Sequence, residues 1–537
     1  MATPLLTEQE SPSSRRDDRQ DDVPDHDDLL PDASVLEERL PPWMRASRRV
    51  AGWTAVIGIL FLFMNYRPLW HTDLWGHLAY GRVIWQTGGI PQTEPLIPLA
   101  RGVPFIDTQW LSQLIGYGLA TAFDVEGLKF AYGLAIAACA ALLLVGFYQR
   151  TQRAWLALLG LVAFLWVEWQ QIAIIRPQLA GMICFTFLLS VLARRSPARW
   201  QWYAVPLLFV VWANLHGSFI VGLALLACFC LGRAIDVIRH SGRWLSPFRD
   251  QRTRDYFLLT ELAAVAALVN PYGLGLYLEV LTFGRSPNLA DIVEWQPLHL
   301  RMAQAQAAAV LALALTFLYR LTPRRVQAAE VLALIGLGIA ALWTSRLLAW
   351  WAPVAAYVFV LHGDAIWTRR RRRRPKHDEL ARSGRWTVVT AAVLWIGFAL
   401  TPLGGRLLHG QTVDLEKALS PFTPIGATNY LKEHPPKGLV FNTYEWGDYL
   451  LWAGPSDIQV FLNSHAHLVP TEVWRHYMDI TQVASGWDQW LDRYGVNTLV
   501  LDKTYRMALI RTLKQTPEWR TAYEDERSAV FVRKKPI

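Results

Sequence analysis

Cysteine is scarce. The four residues of this type (Cys139, Cys184, Cys228 and Cys230) all fall in apolar stretches, and none has zinc-ligand spacing. Cys228 and Cys230 face different sides of a helix, so neither a disulfide framework nor a structural zinc is expected. The start of the chain lacks an apolar core. Residues 1–45 are polar and acidic, with Asp17, Asp18, Asp21, Asp22, Asp25, Asp27 and Asp28 close together. A cleavable signal peptide needs such a core, so this segment reads as a disordered tail and the first apolar span as a retained anchor. Charged residues make up only 18%. No internal repeat is detectable, nor any pair of Gly/Pro-broken spans in matching positions, which argues against an inverted-repeat transporter.

What the chain does have is apolar sequence: 53% of its residues are hydrophobic and 26 are Trp. Crossing a bilayer takes roughly 20 apolar residues. Spans are read near 50–66, 128–148, 154–172, 177–193, 202–214, 217–233, 257–270, 303–319, 327–343, 346–362 and 386–402. The Trp content fits anchoring at the membrane interface. The net charge of +9 is no nucleic-acid footprint, because the basic residues sit in short loops between spans.

Those loops set the expected topology. Arg45, Arg48 and Arg49 precede the first span, and Arg150 and Arg153 follow the second. Arg194, Arg195 and Arg199 follow the fourth. Arg233, Arg239, Arg243, Arg249, Arg252 and Arg254 follow the sixth, and Arg320, Arg324 and Arg325 the eighth. The run Arg369 to Arg374 follows the tenth. Every second loop is basic, and the positive-inside rule makes these loops cytoplasmic. The N-terminus is then inside and the residues after about 403 outside. The arginine run reads as an orientation signal touching anionic lipid, not as a nucleic-acid site.

The unusual polar residues cluster on the arginine-poor side. The first outer loop, 67–127, contains Asp73-Leu74-Trp75-Gly76-His77. Asp73 and His77 stand one helical turn apart and share a face. Leu74, Leu78 and Trp85 suit a helix lying in the interface, ended by Gly88-Gly89-Ile90-Pro91. Asp107 or Thr108 is placed to cap a second short helix, Trp110 to Leu119. Asp73 reads either as a catalytic carboxylate or as a helix cap satisfied by His77.

Glu168 and Arg176 flank a short loop and are placed to neutralise each other. Alternatively, Glu168 joins Asp73 as an oxygen ligand for magnesium or manganese. Asn214 and His216 in the turn Trp212–Ser218, Tyr272 after Asn270-Pro271, and Glu294 beside Trp295 are further outer-side polar groups, as is Gln178 after Arg176. Arg346 suits a phosphate, held bidentately, or snorkels to the interface.

Residues 406–537 have soluble character. Strands are read at Gly438–Phe441, Gln459–Leu462 and Val496–Leu501, with helices Thr423–Lys432, Glu472–Val483, Trp487–Arg493 and Tyr505–Gln515 between or after them. A closing hairpin is read over Thr521–Arg533. The alternation predicts a small α/β domain. Its most pointed segment is Asn442 to Trp452, containing Trp446-Gly447-Asp448-Tyr449. His465 and His467 are placed as metal ligands or, more blandly, as turn residues.

The expected architecture is therefore mainly α: a polytopic helical membrane bundle over 46–405 with a C-terminal α/β domain. This layout resembles the GT-C class of membrane glycosyltransferases. Those enzymes have many spans, a long first outer loop with two interfacial helices, and an early catalytic acid in that loop. Asp73 falls at the matching place. The resemblance implies a sugar taken from a polyprenyl-phosphate carrier, with Asp73 as the base that activates the acceptor, His77 orienting it, and Arg176 or Arg346 countering the departing phosphate. Gln178, Asn214, His216, Tyr272 and Glu294 would line the donor site, and a magnesium or manganese ion would share the phosphate. Oligosaccharyltransferase catalytic subunits, a branch of this class, carry a Trp-Trp-Asp-Tyr-Gly motif in an outer α/β domain. Trp446, Asp448 and Tyr449 are similar in composition but differ in order, which leaves their acceptor-side role open. The first loop also lacks a paired Asp-Glu or Asp-x-Asp. The alternatives are a flippase or transporter of lipid-linked glycan using the same outer cavity, and a non-catalytic assembly factor.

Overall fold

The computed structural model describes residues 40–70, 73–194, 198–371 and 382–537. The acidic tail to residue 39 and most of the arginine-rich loop lie outside these. Helices overlie all eleven stretches read as spans. Among the described residues six helices are long and apolar enough to cross a membrane, or seven if the bent pair Gly384–Ala399 and Pro402–His409 is one span. These six include α1 (Arg48–Tyr66), α3 (Trp110–Thr151), α4 (Ala154–Ile172), α7 (Phe219–Ser241) and α10 (Ala303–Leu321). Three others are apolar but shorter: α5 (Gln178–Leu192), α6 (Gln201–Leu215) and α11 (Ala328–Trp343). The sixth, Ser345–Arg370, takes in most of α12 (Leu348–Arg371) and is the most buried of the six, at 78% over its apolar stretch. By contrast α1 keeps Ile59 and Phe63 at 69% and 50% exposure, as expected of side chains that face lipid rather than protein.

The first long connection holds α2 (Asp73–Thr87), which Gly88 ends at φ +67. The short helix expected at Trp110–Leu119 does not stop there. It runs about a turn further, to Asp124, whose φ of 55 and ψ of −149 belong to a region ordinarily reserved for glycine and separate it from the span helix that follows; α3 covers the two. The Asp124 carboxylate accepts the Val125 N–H at 2.8 Å and so re-caps the second half. A cap of this kind is what a sequence scan reads as a loop boundary.

The C-terminal sheet has the order β2-β1-β3-β5-β4, made of β1 (Leu439–Asn442), β2 (Gln459–Val460), β3 (Thr498–Asp502), β4 (Trp519–Glu524) and β5 (Ser528–Arg533). β2, β1 and β3 are parallel, and β5 and β4 form the closing hairpin. β2 is shorter than expected. Side chains alternate between faces. Phe441, Leu499, Leu501 and Phe531 pack one way, with Trp474, Tyr477 and Leu509. Val440, Val500 and Val530 pack the other way, with Trp446, Leu450 and Ala427. Ala79 of α2 belongs to that second layer. The first-loop helix is thus a wall of the C-terminal domain as well as of the bundle.

The layer also contains a helix absent from the sequence reading, α17 (Tyr444–Ala453), numbered after α8 (Gln251–Ala266), α9 (Leu274–Thr282), α13 (Gly384–Ala399), α14 (Pro402–His409), α15 (Leu415–Ala418) and α16 (Ile425–Glu433). Gly447 lies so close to the Leu462 carbonyl that a Cβ would collide with it, which explains a glycine inside this helix.

Candidate functional site

The site forms where α2 meets the ends of the bundle helices and the C-terminal domain. Two glycines of α2 permit the approach. A Cβ on Gly76 would strike the Asp448 carboxyl of α17, and one on Gly81 would strike the Gln113 carbonyl of α3. The outer faces are stitched together by side chains. Asn288 donates to the Ala466 and Val469 carbonyls at 2.8 and 2.9 Å, and Trp474 Nε1 donates to Asp291 at 2.8 Å.

Arg176, just before α5, is the centre of charge. Its Nη1 donates to Glu294 Oε2 at 2.7 Å, its Nη2 donates to Glu294 Oε1, and its Nε stands 3.4 Å from Asp73 Oδ2. Burial works against this charge, but Asp73 and Glu294 outweigh it and hold the guanidinium above its ordinary pKa. Likewise burial opposes the charge of Glu294, and Arg176 outweighs it, keeping the carboxyl below the usual range. A strap brings the second arginine close: Ser345 Oγ donates to the Glu294 carbonyl at 3.0 Å, and the Ser345 N–H donates to the Gln296 carbonyl at 3.0 Å. Arg346 then lies over the Trp295 ring at 5.3 Å and donates to Gln178 Oε1 at 3.4 Å. Among the described residues it has no carboxylate partner within ion-pair distance.

Four histidines surround these groups. His77 is buried, its Nδ1 3.4 Å from Gln113 Nε2. His216 Nδ1 accepts the Ser218 N–H at 3.0 Å. His465 stacks on Tyr80 at 4.5 Å and meets His77 edge-on at 6.2 Å, and His467 rests on Phe283 at 4.3 Å. Burial is the main cause that pushes His77 down to about 4, with Asp73 opposing and Arg346 and Arg176 adding to it. Burial, then Arg346 and His77, push His216 down to about 3. Burial, then Arg346, push His467 down to about 3, and His465 is pushed well below its ordinary value. All four rings are therefore neutral at neutral pH. Tyr444 of α17 faces the same charges. Burial and then Glu445, Asp73 and Glu294 raise its phenol above the usual range.

Several sequence expectations meet a different arrangement. Glu168 does not pair with Arg176. It is fully buried in α4, and neither carboxyl oxygen has a hydrogen-bond partner among the described residues. Its proximity in sequence misled, because the helix turns its side chain into the bundle while Arg176 reaches across to Glu294. Among the described residues no group of three or more His, Cys, Asp or Glu side chains is placed to hold a metal ion, so the proposed Asp73–Glu168 ligand pair belongs to no such cluster. Asn214 is committed to the fold. Its Oδ1 accepts from Trp110 Nε1 at 3.0 Å, and its Nδ2 donates to the Val210 and Val269 carbonyls at 2.8 Å. Tyr272 Oη accepts the Asp107 N–H at 3.0 Å. Trp446, Asp448 and Tyr449 are buried between α2 and the sheet rather than displayed to an acceptor. Trp446 Nε1 donates to the Phe422 carbonyl at 2.9 Å, Asp448 Oδ2 accepts the Ser464 N–H at 3.2 Å, and Tyr449 packs on Trp75 at 5.3 Å. Tyr449 also lines a small cavity with Trp75, Asp124, Leu128 and Trp452. That cavity shares α2 with the site but none of its arginines or histidines.

Sequence reasoning did not place His465, His467 and Tyr444 at this site. The available signals were the pairing of His465 with His467 and the position of all three just after strands β1 and β2, where loops of parallel sheets commonly carry function. Among the described residues the arrangement offers a carboxylate ion-paired with one arginine, a second arginine without a carboxylate partner and uncharged imidazoles, a set suited to binding a phosphate beside a proton acceptor.

No protein-family model matches the chain, and no curated protein matches it in sequence. Among solved structures, it is similar to the crystal structure of ArnT from Cupriavidus metallidurans bound to undecaprenyl phosphate. The identity is 13% and the TM-score 0.50, over 90% of this chain and 97% of that one. It also matches the apo crystal structure of the Archaeoglobus fulgidus oligosaccharyltransferase, at 14% identity and a TM-score of 0.47, over 86% of this chain and 70% of that one. The likeness to ArnT is one of fold, and the fold of this chain is that of the GT-C membrane glycosyltransferases.

Proposed function

We propose that this chain is an integral membrane glycosyltransferase. It moves a sugar from a polyprenyl-phosphate-linked donor to an acceptor on the non-cytoplasmic face, with about eleven membrane passages and the C-terminal domain outside. The observation that carries the reading is Arg346. It is a guanidinium seated on Trp295 and Gln178 with no carboxylate partner among the described residues, and it acts electrostatically on His77, His216 and His467. An arginine so held is a ready phosphate ligand. ArnT, whose fold this chain shares, was crystallised with undecaprenyl phosphate, and that class of carrier is the one proposed here.

In this mechanism Asp73, ion-paired with Arg176, takes the proton of the acceptor hydroxyl or amide as that atom bonds to the anomeric carbon. The bond from the anomeric carbon to the phosphate oxygen breaks, and the carrier leaves as polyprenyl phosphate with its charge on Arg346. His77, neutral, hydrogen-bonds without adding charge. No step is assigned to a divalent cation. The assay is run with magnesium and with chelator, since the donor phosphate itself brings ligands that the protein side chains do not assemble.

The test is transfer of labelled sugar from polyprenyl-phosphate donors into membrane acceptors, with wild-type and Asp73→Asn protein at equal abundance. Loss of a general base lowers the rate by ~100- to 10,000-fold, with binding of undecaprenyl phosphate retained. Near-full transfer by the variant would make Asp73 a structural cap. Equal loss of lipid binding would favour a structural role for the Asp73–Arg176 pair.

A further inference from the structure

Asp107 has no place in the mechanism above. Its Oδ1 accepts from the Gln109 N–H at 3.0 Å and from Gln113 Nε2 at 3.0 Å, and its backbone N–H is held by Tyr272 Oη at 3.0 Å. The residue is 3% exposed, and its Oδ2 has no hydrogen-bond partner among the described residues. The N-cap of α3 is Gln109 rather than Asp107, so helix capping does not account for a carboxyl group buried this deeply, which is costly. The same Gln113 Nε2 lies 3.4 Å from His77 Nδ1. A carboxyl oxygen facing an amide accepts, so Asp107 selects the NH2 end of Gln113. The second hydrogen of that NH2 then requires a lone pair on His77 Nδ1.

We infer that Asp107 is a positioning residue: acting through Gln113, it fixes His77 in the tautomer that carries its proton on Nε2. The orientation of an imidazole and the identity of its protonated nitrogen are set by what the other nitrogen binds. The charged and titratable groups that bear on Asp107 are Glu94 and the Tyr272 phenol, with His77 beyond Gln113. Burial pushes the Asp107 carboxyl up to about 7, the Gln109 N–H opposes this, and Glu94 adds to it. Its proton is thus exchanged near neutrality, one side chain away from the imidazole. The turnover arm below rests on the glycosyl-transfer reading. The spectroscopic arm does not.

The experiment is nitrogen NMR of purified, histidine-labelled full-length protein in detergent at pH 7.5, with the His77 signals assigned by His77→Gln. The wild type is expected to show Nδ1 unprotonated and Nε2 protonated. Asp107→Ser retains an oxygen for the Gln109 N–H but is too short to hold the Gln113 amide. It should raise the minor tautomer about tenfold, the scale of one hydrogen bond to a charged group, and Gln113→Leu should do the same. In the transfer assay Asp107→Ser should lower kcat about tenfold with KM unchanged. An Nδ1-protonated His77 in the wild type, or a tautomer ratio unmoved in both variants, overturns the inference. Wild-type protein that transfers no sugar while its His77 responds as described overturns the glycosyl-transfer reading instead.

Discussion

Arg176 joins two carboxylates that are far apart in sequence. Its Nε stands 3.4 Å from Asp73 Oδ2, while both terminal nitrogens are spent on Glu294, 118 residues away. The Asp73 contact is an ion pair, and the Glu294 contact is a bidentate fork. Asp73 therefore does not sit near the bilayer as an isolated charge, as the absence of Lys or Arg on its own helix face suggests from sequence alone.

The two arginines should respond differently to removal. Arg176→Leu strands Asp73 and Glu294, and breaking a buried pair costs about 3–5 kcal/mol. The carboxylate side chains are 20% and 27% exposed, which places the loss at the low end. Arg346→Gln strands no carboxylate among the described residues and should cost less, about 1 kcal/mol, for its seat on Trp295 and its bond to Gln178. It should weaken undecaprenyl phosphate binding about 10- to 100-fold, the loss of a charged hydrogen bond. Thermal unfolding in detergent and lipid titration read the two quantities. Equal destabilisation by both variants would contradict the division of labour.

Much of this was legible in the sequence, and the failures have definite causes. That Asp73, His77, Arg176, His216, Glu294 and Arg346 share one end of the spans follows from where apolar runs stop. What those residues bind does not follow, because partners are set by helix rotation. Glu168 lies eight positions before Arg176, yet it faces the bundle interior. The Trp446–Tyr449 run drew attention as a motif, but its oddity is a packing requirement: Gly447 against Leu462 and Asp448 against Gly76. His465 and His467 carried no periodic signal, since loops have none. The sheet was legible because its central strands are short continuous apolar runs, buried on both faces.

The close approach of α2 to its neighbours gives a packing prediction. Gly76→Ala would press a methyl into the Asp448 carboxyl, and Gly81→Ala into the Gln113 backbone. Overpacking of this kind costs about 1–3 kcal/mol. The Gly81 substitution should be worse, because backbone yields less than a side chain and Gln113 also contacts His77. Gly89→Ala, with open space around it, is the control and should be neutral. Unfolding temperatures of the three variants decide. A Gly81→Ala protein as stable as the Gly89→Ala protein would show that α2 does not need this approach.

The proposed orientation can be read by labelling. Asp378 lies in the arginine-rich loop and Asp457 in the C-terminal domain. In intact cells an impermeant maleimide should modify an Asp457→Cys protein and leave an Asp378→Cys protein unmodified until the membrane is opened. The native cysteines lie in the helices α3, α5 and α7, with Cys139 and Cys184 buried, so background is low. The reverse pattern would invert the topology and move the Asp73 site to the cytoplasmic face.

Acid should loosen this protein through its histidines. The unfolded chain takes up a proton at each imidazole near pH 6.5, whereas burial delays uptake to about 4 for His77, and to about 3 for His216 and His467. Between those values the unfolded state binds more protons, so stability rises with pH. The contribution is complete above about 6.5, is lost as pH falls towards 3–4, and is flat below. Asp107 acts in the opposite sense. Its carboxyl, raised by burial to about 7 from 3.8, holds a proton in the folded state that the unfolded chain releases, so it adds stability as pH falls through that window. The net slope mixes the two, but a difference between proteins isolates one. His467→Gln keeps hydrogen-bonding capacity and cannot take a proton in this range. Its unfolding temperature should therefore fall less than that of the wild type between pH 6.5 and 4, with each unit of lost shift worth about 1.4 kcal/mol before relaxation. Parallel curves for the two proteins across that range would mean that His467 is not held neutral by the fold.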